Sequence, residues 1–270
     1  MSEQTVHLRR DGVVVRGPDA AEWLQGQLTQ DLAGLEVGES RYSLVLSPQG
    51  KLASFCRATR SGEEEYLLDT EAGFGPDLED RLRRFKLRVK VDLEAVELSC
   101  EAGPGGGLSS LGPPRVVEEP PPVPDEASLT RLEEARIRSG LPRLGRELTE
   151  RTIAQEAGDA FVQATVSFTK GCYTGQELVA RLDARGSNVA RRLRLIEGSE
   201  PASPPEPGAA IYRGEAEVGE VTSAAPSGAS FVALGYLKRA VLGEEPFDVL
   251  VGGPAGERAR ARVSLLPAEA

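Results

Sequence analysis

The sequence predicts an α+β protein whose last third is a small antiparallel β-barrel. Two observations carry this prediction. Strand patterns and two amphipathic helical patterns alternate up to residue 102, and five short strand patterns separated by glycine or proline turns follow residue 189. Strands joined by turns favour antiparallel hairpins, and short strands at near-regular spacing with little helix favour a closed barrel.

The first segment is predicted to hold two helices and several hairpin strands. Leu24, Leu28 and Leu32 repeat at the spacing of one apolar helix face. They predict a helix over 19–32, and the same kind of spacing predicts a second helix over 77–85. Apolar and β-branched runs predict strands over 12–16, 42–46, 52–59, 66–68 and 87–98.

Two proline- and glycine-rich stretches divide the rest of the chain. Proline removes a backbone donor and glycine adds chain entropy, so neither stretch fits inside a helix or a central strand. We therefore interpret both as linkers or long surface loops. The predicted units are a first α+β segment (1–102), a linker or loop (103–125), a second α+β segment (126–188) and a barrel segment (189–270), with a further loop over 201–208.

The second segment opens with a predicted helix over 128–139, which Ser128 caps and Gly140 follows. The five strand patterns of the barrel segment lie over 193–196, 216–222, 231–237, 247–251 and 260–265.

Composition excludes several classes of protein. The chain has 270 residues, and 32 Lys+Arg against 42 Asp+Glu give a net charge of −10, which disfavours a general nucleic-acid coat. Because it contains neither a run of roughly 18 apolar residues nor an apolar signal-peptide core, we expect a cytoplasmic protein without a membrane span. Three cysteines and one histidine disfavour a disulfide framework, a zinc site and any Ser-His or Cys-His mechanism. The sequence therefore predicts no metal site.

The segment Lys170–Glu177 (KGCYTGQE) carries the strongest chemical signal. Two glycines flank Cys172 and its neighbours, where the backbone can turn tightly and approach a ligand. Lys170, if it lies within a few ångströms, would favour the reactive thiolate of Cys172. Glu177 and Arg181 are four residues apart, so a helix through this segment places them on one face. The residues alone support either a ligand-facing thiol or a packing cysteine beside a turn.

This segment resembles the signature of the YgfZ family of folate-binding proteins, which are relatives of the glycine-cleavage T-protein. The likeness covers most of residues 10–195, whereas the C-terminal part fits only through its strand-rich composition. Further matching stretches are 17–20 (GPDA), 24–31 (LQGQLTQD), 46–51 (LSPQGK), 84–91 (RFKLRVKV), 136–142 (RIRSGLP), 155–156 (QE) and 185–186 (RG).

The resemblance implies a fold, a ligand and a role. The family fold is a ring of two T-protein-like (ferredoxin-like) α+β subdomains and a C-terminal antiparallel β-barrel around a central cleft. Members bind tetrahydrofolate and support the assembly or repair of iron-sulfur clusters in client enzymes, including tRNA-modifying ones. The family also suggests a monomer. Its functional residue is the signature cysteine, here Cys172, with Lys170 beside it.

A folate site needs an apolar slot and a carboxylate for the N–C–N edge of the pteridine. Glu156 and Glu177 are the candidate carboxylates, although Glu156 also fits a solvated helix start. Gln176 fits either a ligand contact or a backbone cap. Asp77 falls near the catalytic aspartate of T-proteins, yet an aspartate in a first helical turn is also an ordinary dipole partner. The predicted cofactor-binding set is Glu156, Gln176, Glu177, Arg181, Tyr173 and Asp77, and the predicted catalytic pair is Cys172 and Lys170.

Residues 81–90 carry six positive and no negative side chains in an otherwise acidic protein. Leu87 and Val89 interleave with these charges, so we expect the apolar side chains in the core and the cations outside. The stretch fits either a solvated face or an anion site. Such a site would take a folate polyglutamate tail, or phosphate groups of tRNA or of a protein.

Two other functions fit parts of the sequence. A folate-dependent aminomethyltransferase is disfavoured, because the middle of the chain contains no R-x-G-Y-T-G-E segment and the chain is shorter than T-proteins as a class. A non-catalytic protein-docking module is the other alternative. Folate binding with transfer from an aminomethyl donor would distinguish the enzyme, and a lack of folate binding would distinguish the docking module.

Overall fold

In the computed structural model, which describes residues 6–252 and 257–268, the chain forms an antiparallel sheet, a group of helices and a barrel. The strands are β1 (Val6–Arg16), β2 (Ser40–Leu46), β3 (Leu52–Gly62), β4 (Glu65–Glu71), β5 (Asp92–Ala102), β6 (Arg115–Val116), β7 (Arg191–Gly198), β8 (Ala210–Arg213), β9 (Ala216–Ser227), β10 (Ser230–Lys238), β11 (Phe247–Gly252) and β12 (Arg258–Ser264). The helices are α1 (Ala20–Gln27), α2 (Gly75–Arg84), α3 (Glu126–Arg138), α4 (Asp159–Thr165) and α5 (Gln176–Asp183).

The six-stranded sheet has the order β2-β3-β4-β1-β5-β6 and is antiparallel throughout. Successive strand side chains point to opposite faces. Val13 and Val15 therefore share a core with Leu24 of α1 and Leu78 of α2, whereas Val14 belongs to a separate cluster. Helices α1 and α2 thus cover one face of this sheet.

The opposite face, at β2 and β3, packs against the second segment. Leu44 and Phe55 share a core cluster with Phe161 of α4 and Val179 of α5. Residues 126–188 form helices and turns, with only an isolated β-bridge at 144–148. The strands that this segment packs against therefore belong to the sheet of the first segment. The α+β class predicted from the sequence is confirmed.

Helix α1 ends at Gln27, earlier than the predicted end at residue 32. Leu28 is already extended and pairs with Val45, and the backbone N–H of Thr29 donates to the Leu44 carbonyl at 3.0 Å. The backbone at residues 28 and 29 therefore forms its hydrogen bonds with β2, and this pairing ends the helix. The apolar spacing still identified the buried side chains correctly, because Leu28 and Leu32 are both in the core.

Helix α3 begins two residues before the predicted start. Its cap is Asp125, whose Oδ1 accepts a hydrogen bond from the Ser128 N–H at 2.8 Å, so the predicted Ser128 cap is wrong. Aspartate is an equally good cap for the same backbone donors. Gly140 follows the helix end with a φ of +72°, as predicted. Neither α3 nor any other helix of the described ranges is long and apolar enough to cross a membrane.

The C-terminal part is a closed antiparallel barrel with the strand order β10-β7-β12-β11-β8-β9. Ile196, Phe231 and Val249 lie in its apolar interior. The predicted barrel is confirmed, with one strand more than the sequence indicated. The pattern missed β8 because it has only four residues and follows the proline-rich loop at 201–208.

Glu147 joins the second segment to the barrel. Its fully buried carboxylate accepts a hydrogen bond from Ser223 Oγ of β9 at 2.7 Å and lies 3.3 Å from Arg136 Nη1 of α3. The Tyr236 hydroxyl of β10 donates to the Glu147 carbonyl at 2.9 Å. A buried carboxylate with this many donors needs all of them in place, so it fixes α3 against the barrel.

Candidate functional site

Cys172 lies in an exposed loop between α4 and α5. Phe168, in the same loop, has 45% of its surface exposed. The other two cysteines, Cys56 of β3 and Cys100 of β5, are buried. Burial raises the pKa of Cys56 and so keeps it in the thiol form. Cys172 is therefore the accessible thiol of the three.

Lys170 anchors this loop to the C-terminal end of α1. Its Nζ donates to the carbonyls of Gln25, Leu28 and Gln30 at 2.8, 2.8 and 3.0 Å. An ammonium group has three protons, and these carbonyls accept all of them, so none is left for the Cys172 thiolate. Burial lowers the pKa of Lys170 to about 8. The side chain therefore positions the loop that carries Cys172.

The turn at 47–50 packs against the start of α5 through two glycines. Gly175 has a φ of +82°, and a Cβ on it would lie 2.4 Å from the Ser47 carbonyl oxygen. Gly50 has a φ of +78°, and a Cβ on it would lie 2.5 Å from the Leu178 Cβ. Both positions require glycine, since a side chain would be strained and would have no room. By contrast, a Cβ on Gly171 would meet nothing within 4 Å.

Gln176 and Thr174 complete the turn into α5. Gln176 Oε1 accepts a hydrogen bond from the Tyr173 N–H at 3.1 Å, so its amide caps the backbone, one of the two roles considered for it. The Thr174 N–H donates to the Gly26 carbonyl at 3.0 Å, which adds a second tie to α1. The Tyr173 ring is buried in the core beneath the loop, and burial raises its pKa to about 12.

Glu177 and Arg181 lie on one face of α5, as predicted, with 3.9 Å between the carboxylate and the guanidinium. Both are exposed to solvent. Gln155 Nε2 donates to the Val179 carbonyl of the same helix at 3.1 Å, while its Oε1 is buried without a partner. Gln155 was not among the predicted site residues, although it precedes the predicted Glu156.

The remaining predicted residues lie away from this loop. Glu156 is buried and accepts a hydrogen bond from Arg191 Nε at 3.4 Å. The same guanidinium stacks on the Tyr236 ring of the barrel. Asp77 is exposed in the first turn of α2, where it fits the dipole role. No hydrogen bond or ion pair joins either residue to Cys172 or to another member of the predicted set.

A cavity of about 210 Å³ lies between the sheet and α3. Tyr42 of β2 and Phe55 of β3 stack with their ring centres 5.8 Å apart on one side, and Leu129 and Leu132 of α3 lie on the other. The glycine-rich residues 103–107 close it. This loop belongs to the stretch that we predicted as a linker or loop.

Gly106 makes this wall possible. It has a φ of +71°, and a Cβ on it would lie 2.1 Å from the Ala135 carbonyl carbon, so only glycine lets the loop lie on α3. Sequence reasoning missed the cavity, because its lining comes from six separate stretches of the chain. The one usable signal was the glycine run directly before Leu108, whose carbonyl accepts a hydrogen bond from the Tyr42 hydroxyl at 2.8 Å.

Charged side chains also line the cavity. Arg143 Nε lies 3.0 Å from Glu71, and Glu133 accepts hydrogen bonds from Arg136 at 2.7 and 3.0 Å. Arg10 also lines the cavity and donates to Asp69, which is fully buried. The apolar slot therefore has two carboxylates and three guanidinium groups around it.

Over the part of the chain that the structure describes, no group of three histidine, cysteine or carboxylate side chains is placed to hold a metal ion.

Two comparisons describe the fold of the chain. A family model for the glycine cleavage T-protein C-terminal barrel domain matches residues 191–268. The glycine cleavage system aminomethyltransferase T from Bartonella henselae superposes with a TM-score of 0.77, over 98% of this chain and 87% of that one. The two sequences are 20% identical, so this likeness concerns the fold.

Comparisons of sequence are more specific. The mitochondrial iron-sulfur cluster assembly factor IBA57 homolog of Neurospora crassa is 26% identical in an alignment that covers 81% of this chain and 61% of the relative. The tRNA-modifying protein YgfZ of Edwardsiella ictaluri is 30% identical in an alignment that covers 68% of each chain. The same protein of Photorhabdus laumondii is 27% identical over 232 residues. Identity at this level over two thirds of a relative, on a shared T-protein-like fold, establishes that this chain belongs to the YgfZ family.

Proposed function

We propose that this protein is a cytoplasmic factor that binds tetrahydrofolate or another reduced folate. It would support the assembly or repair of iron-sulfur clusters in client enzymes, including tRNA-modifying ones, with Cys172 as the functional thiol. Family membership supports the role, because relatives are named as a tRNA-modifying protein and as an iron-sulfur cluster assembly factor. The cavity between the sheet and α3 is the observation that carries the folate part.

The cavity suits the pteridine ring of a folate. Its walls offer the stacked rings of Tyr42 and Phe55 and the apolar side chains of α3. Glu71 accepts from Arg143 and the Leu144 N–H, and Glu133 accepts from Arg136 and Arg143. Each carboxylate has about four lone-pair sites, so both keep acceptor capacity for an N–C–N edge. Its volume of about 210 Å³ is below the roughly 300–1,000 Å³ typical of sites for drug-sized ligands. The ring system would therefore fill the slot, and the glutamate tail would leave past Arg143.

This placement differs from the residues predicted from the sequence. Gln176 and Tyr173 build the loop that carries Cys172, and Glu156 pairs with Arg191 beside the barrel. We propose that Gln176 and Tyr173 support the thiol, that Glu156 links the second segment to the barrel, and that folate lies on the other side of the shared core. That core joins the two places, since Phe55 of the cavity wall and Tyr173 of the loop belong to one cluster.

A single accessible thiol suits a transient contact with the iron-sulfur cluster of a client protein. A thiolate is the reactive form and a soft ligand for iron. Iron-sulfur clusters in proteins are held by four ligands in most cases, whereas Cys172 offers one and the other two cysteines are buried. The cluster is thus cargo in this proposal, and the chain's part is to hold one rigid, exposed thiol toward it.

An anaerobic calorimetric titration of tetrahydrofolate tests the proposal. The variants are Leu129→Glu, which puts a negative charge at the cavity mouth, and Val123→Glu, a matched change at an exposed position outside it. We expect saturable binding near one per chain that Leu129→Glu weakens about tenfold or more and Val123→Glu leaves unchanged. A Glu156→Gln variant tests the site predicted from the sequence, and a loss of binding there alone would contradict our placement.

Two outcomes would replace the proposed function. Transfer from an aminomethyl donor to the bound folate would make the protein an aminomethyltransferase, which the shared fold allows. No binding of tetrahydrofolate to a folded wild-type protein would leave a protein-docking module as the account.

A further inference from the structure

Residues 84–90, which run from the last residue of α2 toward β5, carry unpaired positive charge and are here called the basic loop. The side chains of Arg84, Arg88 and Lys90 are exposed, and none makes a hydrogen bond or an ion pair within the described ranges. Lys86 reaches Asp92 only at 3.9 Å. In a chain with a net charge of −10, three unpaired cations on one short loop form a local field of the opposite sign.

An apolar side chain projects from the middle of these cations. Leu87 has 75% of its surface exposed, although the sequence pattern placed it in the core. Its neighbour Arg88 has a φ of +56°, a conformation that is costly for any residue except glycine. The loop thus keeps an arginine where glycine would be less strained, and it turns a leucine outward. Strained non-glycine backbone clusters at functional sites, so Arg88 marks this loop as a candidate binding surface, and Leu87 offers that surface an apolar contact.

The basic loop is held firmly along α1. The Trp23 Nε1 donates to the Phe85 carbonyl at 3.2 Å, and Asp19 Oδ2 accepts from the Lys90 N–H at 2.7 Å. At the base of the loop, the guanidinium of Arg81 is buried, and Phe85 stacks on it with 3.6 Å between the ring centre and Cζ. Anchoring at both ends lowers the entropy that a bound partner would have to remove.

Arg81 also connects the basic loop to the end of α1 that holds the Cys172 loop. Its Nη2 donates to the Leu46 carbonyl at 2.7 Å, and its Nη1 lies 3.4 Å from Gln27 Oε1 at the end of α1. The Cys172 loop is tied to the same end of α1 through Lys170. Because α1 has eight residues, its length is about 12 Å. A segment bound along the basic loop would therefore lie within about the length of this helix from the Cys172 loop.

We propose that the basic loop docks an acidic segment of a protein partner, with Leu87 as its central apolar contact. Charge complementarity selects an acidic segment, and the outward leucine selects a protein chain over a nucleic acid. Single-stranded RNA is bound by exposed aromatic side chains and cations together, and the loop's one aromatic ring, Phe85, is covered by Arg81. This inference goes beyond the proposed function and requires neither folate nor a reaction of Cys172.

Fluorescence anisotropy with the full-length protein tests it without folate present. The probe is a short fluorescein-labelled peptide that alternates pairs of glutamate with leucine. The comparison probes are the same peptide with glutamine for glutamate, and a labelled single-stranded RNA of mixed sequence. The loop variant is Arg84→Glu/Arg88→Glu. Its control, Arg115→Glu/Arg239→Glu, makes the same change in net charge at two other exposed arginines without side-chain partners.

We expect the acidic peptide to bind, with an affinity that falls at least about tenfold in the loop variant and with added salt but not in the control. Leu87→Ser should weaken binding severalfold. Arg88→Gly should also weaken it without lowering the melting temperature, because glycine tolerates the positive φ. Failure of the peptide to bind, equal loss in the control variant, or binding of the RNA in place of the peptide would overturn the proposal.

Discussion

Gly50 and Gly175 face each other where the 47–50 turn meets α5, and neither position has room for a side chain. A Cβ on Gly175 would lie 3.2 Å from the Gly50 Cα, and a Cβ on Gly50 would lie 2.9 Å from the Gly175 carbonyl oxygen. The two stretches are far apart in sequence, yet each was singled out as resembling the YgfZ pattern. Their contact explains why both contain glycine: it seats the loop that carries Cys172 against the end of β2.

Gly175→Ala should destabilise the protein by at least about 2 kcal/mol, because it adds left-handed backbone strain to a clash with the Ser47 carbonyl. Urea unfolding measures the change in the free energy of unfolding. Gly171→Ala, four residues earlier in the same loop, is the matched control and should cost less than about 1 kcal/mol. Equal costs at the two glycines would show that the packing of the turn on α5 is not what requires Gly175.

Lys170→Met should lower the free energy of unfolding by about 1–3 kcal/mol, since it leaves the carbonyls of Gln25, Leu28 and Gln30 without their donor. It should also make the Cys172 loop more mobile, which faster amide hydrogen exchange over 166–175 would reveal. Lys51→Met, at an exposed lysine without a side-chain partner, is the control and should change neither quantity. An unchanged exchange rate in Lys170→Met would contradict the positioning role.

Cys172 should be the one cysteine that iodoacetamide modifies in the folded protein, because Cys56 and Cys100 are buried. Mass spectrometry of the intact chain should then show a single added group, and none in Cys172→Ser. Unfolding in urea should expose the other two thiols. Modification of Cys56 or Cys100 under native conditions would contradict their assignment as core residues.

Much of the fold could be predicted from the sequence, because it follows from local periodicity. The spacing of Leu24, Leu28 and Leu32 identified the buried face of the first helix even though the helix stops at Gln27. The apolar patterns identified five of the six sheet strands, missing the two-residue β6 in the predicted linker or loop, and five of the six barrel strands. The pattern failed where tertiary contacts decide: sheet pairing ends α1, and an anchored loop turns Leu87 outward.

The site was predictable only in part. The KGCYTGQE segment identified the exposed Cys172, and the spacing of Glu177 and Arg181 correctly placed both on one helix face. The cavity was not predictable, since Tyr42 and Leu132 meet only after β2 and α3 have packed against the glycine loop. No local pattern in the sequence reports that meeting.

Asp69→Asn should destabilise the protein by about 3–5 kcal/mol, because Asp69 is the buried partner of two arginines. Arg10 Nε and Arg57 Nε donate to its two oxygens at 2.7 and 2.8 Å. The control is Asp159→Asn, which breaks an exposed pair with Arg192 and should cost less than about 1 kcal/mol. Thermal or urea unfolding gives both values, and a small loss at Asp69 would mean that the arginines find other partners.

Tyr173 should make the folded state less stable in alkali. Burial raises its pKa to about 12, above the ordinary value near 10, so the folded form holds a proton that the unfolded form loses. The contribution of this retained proton to the free energy of unfolding is fully present below pH 10 and is lost as the pH rises from about 10 toward 12. Tyr173→Phe should therefore lose stability less steeply than wild type over that window. Parallel curves for the two proteins would contradict the burial of the hydroxyl.

The placement of folate between the sheet and α3 is the central claim, and amide hydrogen exchange with and without tetrahydrofolate tests it most directly. We predict that ligand binding slows exchange in the glycine loop (103–111) and in α3, with little change over 166–183 around Cys172. Protection confined to 153–183, with none in the glycine loop or α3, would contradict the claim and return the ligand to the residues predicted from the sequence.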